Sequence, residues 1–267
     1  DLVRSRGLGD VYKRQALAFT AILGNAQVVK NDLLNGYTEG NALEKGVYTE
    51  RGKKAPLQKD TWCAAATTSP VEGATSPLIG TPLKYEGYKE KGVSIVFGGI
   101  PEDAGGERTT VYSMEKGRTY SSGIYYLAYL VNLPQALPNK KQFELPTLSS
   151  SYNFTGGFGQ VFASNSGRKL KFTLGQGKEN KKSVEMLYDF GKTHLVIFKM
   201  DYANNQLSLF IDPKLTKEEP APSVTIEGNP EKFKASIKAI QLKNRNGLTG
   251  NVGNFRFTDS WTGIVSE

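Results

Sequence analysis

Short runs with a strand pattern recur along this chain without helical runs between them. Residues 124–133 are nearly continuous in β-branched and aromatic side chains, which is typical of a strand at the centre of a sandwich. Residues 193–200 form a second such run. Residues 201–205, which follow it, are rich in Asp and Asn and are therefore predicted to form a turn. Leu207, Leu209 and Ile211 then recur at every second position, so a hairpin is predicted here.

The other predicted strands are shorter, and the chain is rich in turn-forming residues, with 29 Gly and 12 Pro. We predict them at residues 93–97, 160–163, 170–174, 237–242 and 252–257. Brief helices are predicted at residues 42–45 and 231–234, and long loops at residues 50–82 and 213–231. Strands without intervening helices favour an all-β fold, specifically a two-sheet antiparallel β-sandwich of the jelly-roll type with about a dozen strands.

The first 26 residues are not predicted to belong to the folded domain. Residues 1–15 have no periodicity, and residues 10–15 match the translation of a sequencing-library adapter, so we expect an artefactual tail; the alternative is an ordinary basic tail. Residues 16–26 are a short apolar run that ends in small residues, with Gly24 and Ala26 placed as before a signal-peptidase cut. The alternative for this run is an amphipathic core helix.

This pattern predicts a remnant signal peptide and a single jelly-roll domain over residues 27–267. It also predicts export, to the periplasm, the outer-membrane surface or the extracellular space. No apolar run approaches the roughly 20 residues that a membrane-spanning helix needs.

The charge pattern argues against nucleic-acid binding, and the cysteine content argues against disulfides and cysteine metal sites. The net charge is +8, from 34 Lys and Arg against 26 Asp and Glu, but the lysines are scattered and alternate with apolar residues. Solvated strand faces are therefore expected rather than a nucleic-acid-binding stripe. Cys63 is the only cysteine, which excludes an intrachain disulfide and a cysteine metal site, and we expect it to be a small buried hydrophobe.

No catalytic motif is recognisable. A glycosidase needs two carboxylates on either side of the scissile bond. The acidic cluster nearest to that pattern is residues 102–107, where Glu102 and Asp103 are adjacent and would point to opposite faces of a strand, so a solvated turn is expected. His194, the only histidine, reads as a structural residue at the mouth of a strand, and Asp212 as a turn cap.

Metal and phosphate sites are not predicted either. Asp201, Asn204 and Asn205 share one loop and could offer oxygen ligands to calcium, but hairpin turns favour the same residues. The glycine-rich residues 156–159 are followed by neither a Lys-Ser/Thr pair nor a helix, so a turn or bulge is expected. The sequence thus leads us to expect no cofactor, no metal and no catalytic residue.

Aromatic side chains are the candidates for glycan contacts, since sugar rings stack on exposed rings. The candidates are Trp62, Tyr85, Tyr88, Tyr112, Tyr120, Tyr152 and Tyr202. The sequence does not indicate which of them are exposed, so the ligand-binding residues stay unassigned at this stage.

Four segments together resemble the concanavalin A-like, laminin-G-like jelly-roll proteins exported by gut-type Bacteroidetes. They are residues 82–88, 125–133, 194–213 and 255–261, in this order. The resemblance covers roughly residues 30–265 and implies the jelly-roll fold and a periplasmic or cell-surface setting. It does not imply one function, because relatives with this fold bind glycans, cleave glycans or build surface structures.

The sequence therefore leads us to expect an exported, monomeric surface module that binds carbohydrate and is not an enzyme. Its expected partner is a polysaccharide or another surface glycan, with no nucleic acid. Two alternatives stay open, namely a structural or adhesive surface domain without a small ligand, and a polysaccharide hydrolase.

Overall fold

The computed structural model describes residues 28–45, 60–65, 72–101, 103, 107–114, 120–135, 142–152 and 157–266. The predicted tail and signal peptide, residues 1–26, lie outside these residues. That residues 27–267 form a single domain stays a prediction.

The described residues form sixteen strands. They are β1 (Val28–Asn31), β2 (Trp62–Ala64), β3 (Leu78–Gly80), β4 (Ser94–Val96), β5 (Glu107–Ser113), β6 (Ile124–Asn132), β7 (Phe143–Leu145), β8 (Thr147–Ser149), β9 (Gln160–Ser166), β10 (Lys169–Gln176), β11 (Asn180–Ser183), β12 (Thr193–Asp201), β13 (Gln206–Ile211), β14 (Val224–Glu227), β15 (Ala239–Arg245) and β16 (Asn251–Thr258). A 3-10 helix spans Lys232–Lys234, and a short helix, α1, spans Trp261–Val265.

The strands confirm the predicted all-β sandwich of antiparallel sheets. One layer is a large sheet in the order β14-β13-β12-β6-β16-β4-β3, with β1 paired to β16. The second layer consists of two four-stranded sheets, β11-β10-β9-β7 and β2-β5-β15-β8. These two sheets meet where Pro146 alone separates β7 from β8, since β7 pairs with β9 and β8 pairs with β15.

The core lies between the two layers. Val131, Phe198 and Leu209 of the large sheet belong to one buried cluster with Phe172 and Ile240 of the second layer. Leu207, Leu209 and Ile211 also belong to this cluster, so the alternation that predicted β13 marks its core-facing side.

The outer face of the large sheet is also covered, which explains why residues 126–131 are apolar almost without a break. Tyr126 and Phe210 on this face pack against Trp261 of α1, with ring centroids 6.4 and 5.4 Å away. The Trp261 indole N–H donates to the carbonyl of Thr216 at 2.9 Å, which holds residues 213–222 over the sheet. A strand buried on both faces loses the alternation of a half-exposed one.

Two sequence-based expectations are wrong in detail. Residues 42–45 are not helical, because Leu43 and Lys45 donate their N–H groups to Pro77 and Trp62 rather than within a helical turn. The loops predicted at residues 50–82 and 213–231 contain the short strands β2, β3 and β14. No helix in the described part of the chain has the length and apolar character that a membrane span requires.

Candidate functional site

A cavity of about 480 Å³ opens at the end of the hairpin formed by β12 and β13. Its wall comprises residues 184–189 and 192 of the β11–β12 connection, together with His194, Ile211, Asp212 and Ser223. We call it the His194 cavity. Its volume lies within the range of about 300–1,000 Å³ that is typical of small-molecule sites.

The register of the hairpin brings two distant polar residues together. Val196 pairs with Ile211, so Leu195 lies opposite Asp212, whose N–H donates to the Leu195 carbonyl at 2.9 Å. Asp212 has a φ of 49°, which turns the chain out of β13. Its side chain thereby faces back toward β12, where Oδ1 accepts the N–H of Leu195 at 2.8 Å.

His194 is held between two acceptors. Its Nδ1 lies 2.7 Å from Asp212 Oδ2, and its Nε2 lies 2.8 Å from the carbonyl oxygen of Asp189. A carbonyl only accepts, and so does an ionised carboxylate, so both ring nitrogens must carry protons. Below its pKa, His194 is therefore a buried imidazolium, 5% exposed, that is paired with Asp212.

The pKa of His194 follows from the same contacts. Burial lowers the pKa, but the hydrogen bonds to Asp212 and to the Asp189 carbonyl, together with the negative charges of both residues, raise it by more than burial lowers it. The net result is a pKa above the usual 6.5.

Asp189 closes one side of the His194 cavity. Its carboxylate is paired with Lys169 and with Lys192, the latter at 2.9 Å. Hydrogen bonds to these two lysines, followed by their charges, lower the pKa of Asp189 to about 2. The side chain is therefore ionised at neutral pH and accepts hydrogen bonds.

Two tyrosines complete the polar environment. The Tyr85 hydroxyl hydrogen-bonds Asp212; burial, followed by the charge of Asp212 and this bond, raises the pKa of Tyr85 to about 12. Tyr85 is thus a neutral donor at physiological pH. The Tyr188 ring packs edge-on against His194 at 5.4 Å and against Phe172 at 5.2 Å, which fixes the imidazolium in place.

The rim of the cavity is apolar and exposed. Met186 is 65% exposed and Leu187 is 43% exposed, and both line the cavity. Leu78, on β3, is the other large apolar side chain that is exposed in the described residues. The His194 cavity thus combines an exposed apolar rim with carboxylates, an imidazolium and hydroxyls that hydrogen bonds hold in place. Such a surface can accept and donate hydrogen bonds to a polyhydroxylated ligand while its apolar face rests on the rim.

The sequence prediction placed His194 correctly at a strand mouth and Asp212 at a turn. It did not predict that the two meet, although a signal was present: the predicted hairpin turn at residues 201–205 sets the register that places residue 195 opposite residue 212. Of the aromatic candidates, Tyr85 alone contacts this site. Trp62, Tyr88, Tyr112, Tyr120 and Tyr202 are buried, and Tyr152 is partly buried.

The remaining sequence candidates lie elsewhere. Asp201 accepts from the Asn204 N–H at 3.1 Å and from the Asn204 side-chain amide at 2.8 Å, which is the hairpin-turn arrangement. Cys63 is buried in β2. Of the acidic cluster at residues 102–107, Glu102 and residues 104–106 lie outside the described residues. Within the described ranges, no three His, Cys, Asp or Glu side chains are grouped as metal ligands.

Neither a family model nor a curated protein matches this chain. The proposed kinship with exported Bacteroidetes proteins therefore stays a prediction. Solved structures do resemble it. An endo-β-1,4-glucuronan lyase from Trichoderma reesei is 8% identical, with a TM-score of 0.46, over 78% of this chain and 98% of that one.

Two further solved structures resemble this chain to a similar degree. An alginate lyase from Pseudomonas aeruginosa is 8% identical with a TM-score of 0.42, over 66% of this chain and 82% of that one. A heptameric SAP-like pentraxin from Limulus polyphemus is 9% identical with a TM-score of 0.43, over 64% of this chain and 79% of that one. At such identities the comparison assigns no ligand or reaction to this chain.

One sequence-based expectation is corrected by these comparisons. The lack of a familiar catalytic motif led to the expectation that the chain is not an enzyme, but two of the three structures named above are polysaccharide lyases. That expectation is contradicted, since the solved structures similar to this chain include enzymes. What this chain is similar to is a set of jelly-roll sandwiches that includes lyases and a pentraxin.

Proposed function

We propose that this protein is an exported carbohydrate-binding protein and that its ligand occupies the His194 cavity. One observation carries the proposal: two of the three exposed large apolar side chains in the described residues, Met186 and Leu187, lie on the wall of this cavity. Solvent-exposed apolar groups at the mouth of a polar cavity are typical of a ligand site.

The chemistry of the cavity favours a sugar. A pyranose ring has an apolar face of C–H groups and a periphery of hydroxyls. Met186 and Leu187 match the apolar face, whereas Asp189 and Asp212 accept from hydroxyls and Tyr85 is a neutral hydroxyl group. The charges of the cavity are largely balanced, since His194 pairs with Asp212 and both Lys169 and Lys192 pair with Asp189. A neutral sugar therefore fits better than a strongly charged one.

Export is the second part of the proposal. It rests on the apolar run at residues 16–23 and on Gly24 and Ala26 after it. A protein outside the cytoplasm meets polysaccharides directly, which agrees with an open cavity at the surface. Expression with residues 16–26 preserved behind a start codon and basic residues, followed by fractionation and mass spectrometry, tests whether a cut occurs after Ala26.

Affinity gel electrophoresis of purified residues 27–267 against a panel of neutral polysaccharides tests the binding. Each polymer that retards the protein is then incubated with it, and released reducing sugar or unsaturated product is assayed. The proposal predicts retardation by at least one neutral polymer; release of sugar would add cleavage to binding at the same site. No retardation across the panel contradicts the proposal and favours a structural or adhesive surface role.

A further inference from the structure

A second, smaller cleft lies on the outer face of the second layer, where Pro146 divides β7 from β8. Proline has no N–H and interrupts the hydrogen-bond ladder. The cleft has a volume of about 200 Å³ and is lined by Glu144, Gly157, Gly159, Gln160, Gln176, Gly177, Lys232 and Lys243. We call it the Lys243 cleft. At Gly177 nothing lies within 4 Å of the point where a Cβ would stand, which leaves room for a ligand close to the backbone.

The polar side chains of the Lys243 cleft are fixed by one another. Glu144 Oε2 accepts from Lys243 Nζ at 2.8 Å and from the Gln160 side-chain amide at 3.0 Å. The side chains of Glu144 and Lys243 are only 9% and 13% exposed. Glu144 of β7 and Gln160 of β9 belong to one sheet and Lys243 of β15 to the other, so the junction of the two sheets at Pro146 sets their separation.

Cations exceed anions in this cleft. Lys243 shares Glu144 with Gln160 and lies 3.8 Å from Glu107, which also pairs with Arg245. Lys232 is exposed, and no carboxylate of the described residues lies within salt-bridge distance of it. The lining of the cleft thus carries two ammonium groups, those of Lys232 and Lys243, and one carboxylate, that of Glu144.

The position of Lys232 is defined although its side chain is exposed. Gln176 donates its amide to the carbonyl of Phe158, and its side-chain oxygen accepts the N–H of Asn229 at 2.5 Å. These bonds tie the segment that carries the 3-10 helix to the end of β10. Lys232, the first residue of that helix, therefore stays at the edge of the cleft.

We propose that the Lys243 cleft binds an anionic substituent of a sugar, either a carboxylate or a sulfate ester, an inference that rests on the carbohydrate-binding function proposed above. Lys232 and Lys243 donate charge-assisted hydrogen bonds to the anion, and Glu144 orients Lys243. The cleft is smaller than drug-sized sites of about 300–1,000 Å³, which suits one charged ring rather than a whole chain segment. The proposal is independent of the His194 cavity, because the two sites share no residue.

Three polymers with one backbone provide the test: dextran, carboxymethyl dextran and dextran sulfate, compared at one ionic strength by affinity gel electrophoresis of residues 27–267. We expect tighter binding to one or both anionic polymers than to dextran. A preference for carboxymethyl dextran identifies a carboxylate as the ligand, and a preference for dextran sulfate identifies a sulfate ester. Equal binding to all three overturns the proposal.

Charge-matched variants separate a site from the general attraction of a basic protein to polyanions. Lys232→Gln should weaken binding to the preferred anionic polymer about tenfold, the lower end for a hydrogen bond to a charged group. Lys217→Gln removes the same charge from residues 213–222, the segment that lies over the large sheet. It should leave the affinity for the anionic polymer unchanged. An equal loss in both variants overturns the proposal.

A third variant tests the buried pair without leaving a lone charge behind. Glu144→Gln/Lys243→Met removes both partners at once. It should keep the thermal unfolding midpoint close to that of the wild type and still weaken anion binding about tenfold. Retention of full affinity in a folded double variant overturns the proposal. Met186→Ser/Leu187→Ser, at the His194 cavity, should leave the preference for the anionic polymer over dextran unchanged, so failures at the two sites can be told apart.

Discussion

His194 Nδ1 lies 2.7 Å from Asp212 Oδ2, and this pair joins the two strands of a hairpin at the wall of a cavity. The second ring nitrogen of His194 is occupied by the Asp189 carbonyl at 2.8 Å. The pair therefore fixes the charge and the orientation of the imidazolium, and it holds Asp212 where a ligand in the cavity would meet it.

The titration of His194 gives the first prediction. Burial lowers its pKa, but the bonds to Asp212 and Asp189 outweigh burial, so the value should lie above 6.5. Because the chain has a single histidine, its ring protons give one unambiguous titration curve by NMR. A midpoint at or below 6.5 contradicts the imidazolium assignment.

The pH dependence of stability is the second prediction. A pKa that folding raises contributes stability that is fully present below 6.5, the unfolded value, and is lost as the pH rises through the folded value. At acidic pH, but above the titration range of the carboxylates, His194→Gln should be less stable than the wild type by about 1.5–3 kcal/mol. Urea unfolding at several pH values should show this difference shrinking as the pH rises. A difference that grows with pH would contradict the assignment.

The buried pair of Glu90 and Arg256 gives the third prediction. Arg256 Nε donates to Glu90 at 2.8 Å, and the same guanidinium donates to the carbonyls of Gly263, Ile264 and Ser266 at the end of α1. Glu90→Ala should cost about 3–5 kcal/mol, because it leaves a buried charge without its partner.

Arg256→Met should cost at least as much as Glu90→Ala, since it also removes the donor to the three carbonyls at the end of α1. A double-mutant cycle by urea unfolding measures the coupling between the two side chains. Additive single-variant effects would contradict the buried pair.

A matched pair of glycines gives the fourth prediction. A Cβ on Gly159 would stand 2.7 Å from Leu207 and 3.0 Å from Phe198, inside the core, whereas a Cβ on Gly157 meets nothing closer than 3.5 Å. Gly159→Ala should therefore destabilise the protein by about 1–3 kcal/mol through overpacking. Gly157→Ala should change stability by less than about 0.5 kcal/mol. Equal effects in thermal unfolding would contradict this account of the packing.

The central strands were predictable because their apolar content is unmistakable. Residues 124–133, 193–200 and 207–211 were predicted as strands and correspond to β6, β12 and β13. The edge strands were not. β11 reads Asn-Lys-Lys-Ser and is largely exposed, so it has no apolar alternation to detect. Its strand state comes from pairing with β10, which no local pattern shows.

The candidate sites were less predictable than the fold for a physical reason. His194 and Asp212 meet through hairpin register, and Glu144, Gln160 and Lys243 meet where two sheets built from distant segments adjoin. The sequence also did not show which side chains are exposed. The aromatic residues that it offers for glycan stacking are mostly buried, while Met186 and Leu187, which no sequence motif singles out, are exposed at the cavity.

The most direct test of the carbohydrate-binding proposal compares two surface variants on whichever neutral polysaccharide retards the wild type. Met186→Ser/Leu187→Ser removes the apolar rim of the His194 cavity, and Leu78→Ser removes an equally exposed apolar side chain far away in the fold, on the edge strand β3. We expect the first variant to raise the dissociation constant at least tenfold, as loss of about 1.4 kcal/mol does, and the second to leave it unchanged. Unchanged binding in the first variant, or an equal loss in both, would contradict the assignment of the ligand to this cavity.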